Sequence, residues 1–445
     1  MPDDDHADRP VPHELLEARR RRAAESLGLT DEVLVVGAGS PVPVPGGMDQ
    51  LLPFAPHPHY QWLAGHRSAG GVVAFDPKAD EWRDFVPPTT EADRVWEGRA
   101  DAPGEPIEGL MPWLTNRGAS GDRPVVSLGV RPAGIESLDD DGQRAERAEH
   151  GLLAARRAKD EHELGTIRAA CRATAEGFAA ARDATARGDS ERLIELALTT
   201  ACQRAGGHGM GYHTIVGSGP NAAVLHFSAG SRAPREGEFV LIDAGCHIDG
   251  YTADVSRTFV KGTPTQQHRD LFAIVLEAER FALERCTAGQ EFRELHLQAA
   301  TRLAEGLVHL GILKGDPAGL VERDAHANFF PHGLGHLVGL GVRDASAYLP
   351  GRARSERFGL ASLRMDLPLE PGFVTTVEPG LYFIEPLLRQ AERRERFADC
   401  TDWDKVERWL HIGGVRIEDD VLVTDAEPVN LTEGIDKSFE SMIVS

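Results

Sequence analysis

The sequence predicts an α+β protein built from two domains. The chain has 445 residues, which is more than one ordinary domain holds. Short strand-like segments separated by polar turns fill its first third, and from residue 144 onwards alanine, arginine and glutamate recur at helical spacing. We therefore expect a mixed α/β domain over residues 1–157 and a second α+β domain over residues 158–445.

The composition restricts the class of protein. Hydrophobic residues make up 41% of the chain, and the formal net charge is -22, which argues against a nucleic acid or an anionic membrane as the partner. The five cysteines, at positions 171, 202, 246, 286 and 400, form no CxxC pair, so we expect reduced thiols in a cytoplasmic protein. Residues 1–10 are acidic, lack the apolar core of a signal peptide, and are expected to be a disordered tail.

The first domain is predicted to alternate helices and strands, and it contains no visible catalytic cluster. We expect helices at residues 14–27, 91–100 and 108–113, and strands at residues 32–36, 61–63, 71–75, near 85 and at 125–128. Gly37 and Gly39 follow a strand, as in a dinucleotide-binding fingerprint. The third glycine of that fingerprint is missing, because Val42 occupies its position, and three nearby prolines oppose a helix. A loop is the preferred interpretation.

The second domain is predicted to begin with two long amphipathic helices and to continue as strands and helices around a hairpin. The helices are expected at residues 160–181, 191–204, 266–288 and 292–310, and the strands at residues 212–216, 241–242, 255–260, 373–378 and 414–423. In the last of these strands, Val415 and Ile417 are expected on one face, with Arg416 and Glu418 on the other.

The hairpin over residues 241–258 holds two aspartates. Asp249-Gly250 is a favoured two-residue hairpin turn. That turn pairs Asp243 with Ser256 and places Asp254 on the same face, diagonal to Asp243. Two like charges on one sheet face are costly unless a cation lies between them. Taken alone, this hairpin fits a divalent metal site and a pair of solvated aspartates equally well.

Further along the second domain, other candidate ligands lie at strand ends or turns. Four carboxylates and one imidazole suit one or two divalent ions such as Mn²⁺, Co²⁺ or Zn²⁺; these are Asp243, Asp254, His336, Glu378 and Glu418. Each residue alone is more often structural, and it is their joint occurrence in one domain that indicates a metal centre. Two metals sharing carboxylates would hold a bridging water, lower its pKa and polarise a carbonyl.

Six sequence motifs resemble those of the pita-bread metallopeptidases, and specifically the bacterial type of Xaa-Pro dipeptidases (prolidases). They are AAVLHF at 222–227, DAGCHIDGYTADVSRTF at 243–259, FFPHGLGHLVGL at 329–340, LRM at 363–365, TVEPGLYFIEPLL at 376–388 and GGVRIEDDVLVT at 413–424. The resemblance implies a pita-bread (creatinase/aminopeptidase-like) catalytic domain, with a looser likeness over the first domain. It also implies a homodimer in which the first domain partly caps the site.

The resemblance further implies a role for each site residue. Asp243 would bind one metal, His336 would help to complete the second site, and Asp254 and Glu418 would bridge the two ions. Glu378 would be both a metal ligand and the general acid/base for a metal-bridging hydroxide. The remaining roles fall to residues around the metals: His226 as donor to the tetrahedral intermediate, His332 and Arg364 as substrate-binding residues, and Arg416 as support for the metal carboxylates.

One position departs from the family pattern. Family members carry a second catalytic histidine seven residues after the metal-binding one, and Arg343 stands there in this chain. Arginine is no acid or base near neutral pH, but it can donate hydrogen bonds to a substrate carbonyl or carboxylate. We therefore expect Arg343 to bind substrate and to alter preference or rate, while the metals are retained.

These features leave several functions open. The leading hypothesis is a dipeptidase that cleaves Xaa-Pro dipeptides with two divalent ions, Mn²⁺ first. The alternatives are an aminopeptidase acting on longer Xaa-Pro peptides, or a weakly catalytic binding protein with the same fold. Hydrolysis of organophosphorus esters is a possible side activity. Elemental analysis and a panel of di- and tripeptides separate these readings.

Overall fold

A computed structural model of the protein describes residues 10–119, 123–130 and 142–445. The predicted disordered start therefore lies outside the described residues, except for Pro10. The chain divides into two compact units, one ending at Arg156 and the other running from Arg157 to Ser445. Among the helices of the described residues, none is both long enough and apolar enough to cross a membrane.

The first unit contains a five-stranded sheet with helices around it. Its helices are α1 (His13–Leu27), α2 (Pro58–Ala64), α3 (Glu91–Glu97), α4 (Leu110–Asn116) and α5 (Gly142–Arg157), and its strands are β1 (Val33–Gly37), β2 (Val72–Asp76), β3 (Glu81–Val86), β4 (Glu105–Pro106) and β5 (Val125–Gly129). The strand order is β4-β3-β2-β1-β5. The pairs β1–β5 and β3–β4 are parallel and the others antiparallel. The central strands β1 and β2 are buried along their whole length.

The strand predicted at residues 61–63 is wrong, because these residues lie in α2. Pro58 occupies the first helical position, where its missing N–H costs nothing. The Nδ1 atom of His57 accepts a hydrogen bond from the His59 N–H, and Gly65 ends the helix at φ 71°. These flanking signals outweigh the short apolar run of residues that suggested a strand.

The second unit surrounds the hairpin with helices and small sheets. Its helices are α6 (Glu161–Arg187), α7 (Glu191–Arg204), α8 (Gln266–Leu283), α9 (Phe292–His309), α10 (Pro317–Glu322), α11 (Glu385–Leu388), α12 (Ala391–Arg396), α13 (Trp403–Glu407) and α14 (Phe439–Met442). The first strands are β6 (Gly209–Met210), β7 (Ile215–Ser218), β8 (Glu238–Ala244), β9 (Cys246–Ile248), β10 (Tyr251–Thr252) and β11 (Val255–Lys261). The later ones are β12 (Val374–Val377), β13 (Gly380–Tyr382), β14 (Gly414–Arg416), β15 (Asp419–Leu422), β16 (Val429–Asn430) and β17 (Ile443–Val444).

The core of the second unit is built on the sheet β17-β11-β8-β7. Helix α6 starts with a capping box, in which Asp160 and Glu163 each accept a hydrogen bond from the other's backbone N–H. Side chains from α6, α7 and α8 share one buried cluster with Ile242 of β8, including Phe178, Leu198 and Phe272. Burial of such side chains stabilises the unit by about 2 kcal/mol each. This packing makes the sheet a rigid base for the polar residues at its edge.

The hairpin has the register that its turn predicts. Asp249 and Gly250 both have positive φ, 49° and 85°, as a type I′ turn requires. Ile248 pairs with Tyr251, and further along the ladder Asp243 pairs with Ser256. The predicted register is therefore confirmed.

The single strand predicted over residues 414–423 is interrupted. Strand β14 pairs with β13, whereas β15 pairs with β12. At the break, the Glu418 N–H donates to the Ser256 carbonyl at 3.1 Å. All residues from Val415 to Glu418 are buried, so the polar face that the alternation places opposite Val415 and Ile417 points into the protein and not into solvent.

Candidate metal centre

In the hairpin, the carboxylates of Asp243 and Asp254 lie within hydrogen-bond distance of the same tyrosine hydroxyl. The Tyr212 hydroxyl lies 2.7 Å from Asp243 Oδ1 and 2.5 Å from Asp254 Oδ1. The backbone approaches closely here, since a Cβ on Gly245 would lie 1.7 Å from the Ala253 carbonyl oxygen. Only glycine allows this approach, which places the two aspartates side by side.

His336 enters the same site from a loop held against β12. Its N–H donates to Thr376 Oγ1 at 3.1 Å, and its carbonyl accepts from the Thr376 N–H at 2.8 Å. The preceding Gly335 is needed because a Cβ there would lie 2.1 Å from the Thr376 carbonyl oxygen. The His336 Nδ1 atom lies 3.2 Å from the Leu337 carbonyl. That contact assigns the proton to Nδ1 and leaves Nε2 free to act as a ligand.

Glu378 and Glu418 complete the group of predicted ligands. Glu378 follows β12 directly, and its Oε1 lies 3.8 Å from His336 Nε2. Glu418 accepts a hydrogen bond from Ser256 Oγ at 2.7 Å through Oε2. Ligand atoms of Asp254, His336 and Glu418 all lie within 4.8 Å of one another. Asp243 and Glu378 lie beside these three residues, since Asp243 shares the Tyr212 hydroxyl with Asp254 and Glu378 approaches His336.

Burial and mutual repulsion make this group unfavourable without a cation. Burial raises the pKa of Asp254 and Glu418 well above the usual range of carboxyl groups, and the neighbouring carboxylates raise it further. Burial also raises the pKa of Glu378 to about 7. The pKa of His336 falls to about 3, chiefly because of burial. Its imidazole is therefore neutral near pH 7, as metal coordination requires.

The donor atoms fit hard or borderline divalent cations. Carboxylate oxygens and one imidazole nitrogen are the ligands that Mn²⁺, Co²⁺ and Zn²⁺ accept. A cation among them would offset the repulsion that raises the pKa of the carboxyl groups. The site therefore passes this chemical test for divalent metal binding.

Arg416 lies at the edge of the candidate ligands and donates hydrogen bonds to three side chains. Its Nη2 donates to Asp243 Oδ2 at 2.5 Å, its Nε to Ser256 Oγ at 2.8 Å, and its Nη1 to the Tyr382 hydroxyl at 2.8 Å. Its Nε lies 4.0 Å from Glu418 Oε2, so the guanidinium holds Asp243 more directly than the Glu418 beside it on the strand. Such partners orient metal-binding carboxylates.

Arg416 also starts a hydrogen-bonded chain that reaches His332. The Tyr382 hydroxyl lies 2.9 Å from His332 Nε2 and accepts from Arg416. The His332 Nδ1 atom lies 2.9 Å from the Gly333 carbonyl and 3.5 Å from Glu378 Oε2. This chain fixes the orientation of His332 next to Glu378.

One cavity of about 450 Å³ connects all the predicted site residues. Besides the five candidate ligands and Arg416, its walls include the four residues predicted to bind substrate or the intermediate, His226, His332, Arg343 and Arg364. Burial, and next to it the charge of Arg343, lowers the pKa of His226, so this ring is neutral near pH 7. These side chains surround a space suited to a small peptide.

Sequence reasoning missed the tyrosines of the site. Tyr212 follows a glycine-rich turn that has no recognisable motif, and its role depends on a contact with Asp243, 31 residues away. Tyr382 lies inside the TVEPGLYF motif, but only its contacts with His332 and Arg416 show its position in the chain of hydrogen bonds. Thr376 was likewise not singled out, although its hydroxyl accepts from the His336 N–H.

Replacing Tyr212 by phenylalanine tests the hydroxyl between the two aspartates. We expect metal affinity to fall by about 10- to 100-fold, because a partner that orients two carboxylates is lost. Competition with a chelating dye measures this affinity. Tyr251→Phe is the matched control, since that hydroxyl contacts Glu163 at 3.2 Å and Tyr251 does not line the cavity. Equal metal affinities in the two variants would contradict the role given to Tyr212.

A protein-family model and curated relatives match the part of the chain that holds these residues. The model of metallopeptidase family M24 matches residues 165–425, which include all five candidate ligands. Among curated proteins, a probable Xaa-Pro aminopeptidase of Aspergillus fumigatus is 32% identical over 92% of this chain and 89% of its own length. A probable Xaa-Pro aminopeptidase of Tuber melanosporum is 30% identical over 89% of this chain and 87% of its own length.

Solved structures agree over nearly the whole chain. Aminopeptidase P from E. coli with the inhibitor Pro-Leu is 25% identical, covers 98% of both chains and gives a TM-score of 0.78. Proline aminopeptidase P II from Yersinia pestis is 25% identical, covers 97% of this chain and 98% of its own, and gives a TM-score of 0.76. These matches confirm the predicted fold class, a mixed α/β first domain followed by a pita-bread domain.

The comparisons change the predicted type within the family. The sequence motifs suggest a prolidase, but the relatives are named Xaa-Pro aminopeptidases. The aminopeptidase alternative is the better supported one.

Proposed function

Because the chain belongs to metallopeptidase family M24, we propose that it is a Xaa-Pro aminopeptidase, which removes the first residue from peptides whose second residue is proline. The observation that carries this proposal is the convergence of four carboxylates and one imidazole on a single peptide-sized cavity. The names of the relatives support the aminopeptidase specificity over the dipeptidase one.

The substrate class is supported by a ligand of a relative. E. coli aminopeptidase P has been solved with the inhibitor Pro-Leu. A dipeptide that begins with proline corresponds to the leaving part of a Xaa-Pro-Leu tripeptide. A prolidase would release free proline instead, so this inhibitor fits an enzyme that acts on peptides longer than two residues.

The five ligand residues would hold two divalent ions per subunit, Mn²⁺ first, with Co²⁺ or Zn²⁺ as alternatives. Asp243 would serve one ion and His336 and Glu378 the other, and Asp254 and Glu418 would be shared between them. When bound, such ions supply Lewis acidity that activates water and polarises a carbonyl. Tyr212 and Arg416 would keep the two aspartates oriented, as their 2.5 Å contacts indicate.

Glu378 is the residue best placed to move a proton. Its Oε2 lies 3.5 Å from His332 Nδ1, on the cavity side of the site. The nitrogen of an Xaa-Pro bond carries no hydrogen, so it must gain a proton when the bond breaks. In our proposal, Glu378 takes a proton from the attacking water and delivers it to that nitrogen.

The neutral histidines would bind the substrate. His226 can donate a hydrogen bond to the oxygen of the scissile carbonyl as negative charge develops on it. His332, oriented by Tyr382 at 2.9 Å, would position the peptide beside Glu378. Arg364 would bind a carboxylate of the substrate.

A peptide panel tests the specificity. With Mn²⁺, Co²⁺ or Zn²⁺ added, we expect kcat/KM for Ala-Pro-Ala to exceed that for Ala-Pro by at least about tenfold, which is roughly 1.4 kcal/mol. Ala-Ala-Ala is the control for the proline requirement. Rapid cleavage of Ala-Pro alone would contradict the aminopeptidase proposal and restore the prolidase hypothesis.

One observation favours a second candidate function. Arg343 replaces the second histidine of the family pattern, so a weakly catalytic peptide-binding protein is the alternative. Elemental analysis after incubation with Mn²⁺, combined with the peptide panel, separates the two: metal without turnover, in both wild type and Arg343→His, would favour the binding protein. The homodimer, the capping role of the first domain and the cytoplasmic location stay predictions.

A further inference from the structure

Two guanidinium groups without partners face the cavity. Arg343 and Arg364 both line it, and among the described residues neither makes a hydrogen bond, ion pair or ring contact. Arg416, in contrast, has three partners. Arg343 is exposed and Arg364 is half-buried. Both arginines therefore face the cavity without a direct partner among the described residues, while their charges partly offset the rise in the pKa of Glu378 in the same cavity.

The backbone that presents Arg343 is held in place. The buried carboxylate of Asp344 lies 3.0 Å from Lys159 Nζ, and the carbonyl of Ala345 accepts from Arg157 Nε at 3.3 Å. A buried ion pair of this kind is strongly destabilising to break. The loop is thus anchored immediately after Arg343, while the side chain of Arg343 is left to solvent and to the cavity.

Arg343 and Arg364 line the same cavity, whose volume is about 450 Å³, and the charge of one acts on the other. Burial lowers the pKa of Arg364, and the charge of Arg343 is the next cause. Two guanidinium groups lining one cavity suit a carboxylate, which can accept two parallel hydrogen bonds from one of them and a further bond from the other. Such a ligand also removes the repulsion between them.

The charges at the two ends of a peptide substrate determine which end lies next to Arg343 and Arg364. The first residue of an aminopeptidase substrate carries a protonated amine near pH 7, which two guanidinium groups repel. Carboxylates occur at the other end of the peptide, either as the free terminus or as an acidic side chain. The leaving part is therefore the part that the arginines attract.

We propose that Arg343 and Arg364 form an anion site that selects peptides with a carboxylate on the residue after proline. The proposal rests on the proposed Xaa-Pro aminopeptidase function for the position of the peptide. It gives Arg343 a substrate-binding task in place of the acid/base chemistry that an arginine cannot perform.

Matched peptides test the preference. We expect kcat/KM for Ala-Pro-Glu to exceed that for Ala-Pro-Gln by about tenfold, and Arg343→Gln to reduce this ratio to below about twofold. Arg354→Gln is the matched control, because Arg354 is an exposed arginine of the same region that does not line the cavity. The charge of Arg354 lowers the pKa of Arg364 less than the charge of Arg343 does, so most of the ratio should persist in this variant. Equal kcat/KM for both peptides in wild type, together with no effect of amidating Ala-Pro-Gln, would overturn the proposal.

Amidated peptides identify which carboxylate is bound. If the preference for glutamate persists in Ala-Pro-Glu-NH₂ over Ala-Pro-Gln-NH₂, the side-chain carboxylate is the ligand. If amidation of Ala-Pro-Gln itself lowers kcat/KM about tenfold in wild type but not in Arg343→Gln, the terminal carboxylate is the ligand. Either result supports the anion site, and neither effect appearing would overturn it.

Calorimetry with the dipeptides Pro-Glu and Pro-Gln separates this proposal from the proposed function. Tighter binding of Pro-Glu that is lost in Arg343→Gln would support the anion site even if no peptide is cleaved. Cleavage of Xaa-Pro peptides with equal binding of Pro-Glu, Pro-Gln and the amidated dipeptide Pro-Gln-NH₂ would overturn the anion site and leave the function standing. Thermal melting of Arg343→Gln checks its fold, which should be intact because Arg343 is exposed and unpaired.

Discussion

Asp254→Asn is expected to abolish both metal retention and peptidase activity. Asp254 lies 2.5 Å from the Tyr212 hydroxyl and 3.5 Å from His336 Nε2, at the centre of the ligand group. A neutral amide cannot supply the negative charge that two cations sharing this side chain would require. Since metal ions contribute several kcal/mol of transition-state stabilisation, the loss in kcat should be on the order of a thousandfold or more. Elemental analysis after gel filtration and turnover of Ala-Pro-Ala measure the two effects.

Asp249→Asn is the matched control for this substitution. Asp249 lies in the same hairpin, but at its turn, with φ 49°, and asparagine adopts this conformation readily. We expect this variant to keep its metals and its activity. Turnover like that of wild type in Asp254→Asn would refute the dinuclear site.

Removing the carboxylate of Glu378 is expected to stabilise the metal-free protein while it destroys the metal site. Burial raises the pKa of Glu378 from 4.5 to about 7, so the folded state favours the protonated group. The stability from this group is fully present below pH 4.5 and is lost as pH rises through about 7. A neutral glutamine has no such loss. Metal-free Glu378→Gln should therefore exceed metal-free wild type in free energy of unfolding by about 3 kcal/mol at pH 8, but by less than about 1 kcal/mol at pH 5.

Denaturant unfolding of chelator-treated protein at the two pH values measures this difference. Comparing each variant with wild type at the same pH cancels the contribution of the buried histidines. Glu385→Gln is the control, because Glu385 is exposed and its replacement should change stability little at either pH. Adding Mn²⁺ should reverse the order, because wild type gains the free energy of metal binding and Glu378→Gln gains less. A difference between wild type and Glu378→Gln that is the same at pH 5 and pH 8 would contradict the assigned cause.

Local signals predicted much of the second unit. The Asp249-Gly250 turn determined the pairing of Asp243 with Ser256, because side chains in a hairpin follow the register that the turn sets. Helices α6 to α9 were predictable because each presents an apolar face at helical spacing. In the first unit, residues 61–63 were misassigned since a short apolar run does not distinguish a strand from a buried helix.

Most partners of the site residues could not be predicted from the sequence. The family resemblance implies that Arg416 supports the metal carboxylates, but not that it binds Asp243 across 173 positions or that Tyr212 reaches Asp254 across 42. Neither contact leaves a periodic or local pattern in the chain. The same holds for Arg343 and Arg364, which make no hydrogen bond, ion pair or ring contact within residues 10–119, 123–130 and 142–445.

The sequence by itself predicted the residues of the candidate metal centre: the aspartates of the hairpin, His336, Glu378 and Glu418, together with the arginine at position 343. These follow from residue type, turn chemistry and motif, which are local properties. Only the tertiary structure decided how these residues are arranged in space. It places the candidate ligands in one cavity and leaves two arginines at its wall without a direct partner in the part of the chain that the structure describes. Burial and long-range packing fix these distances, which no local pattern encodes.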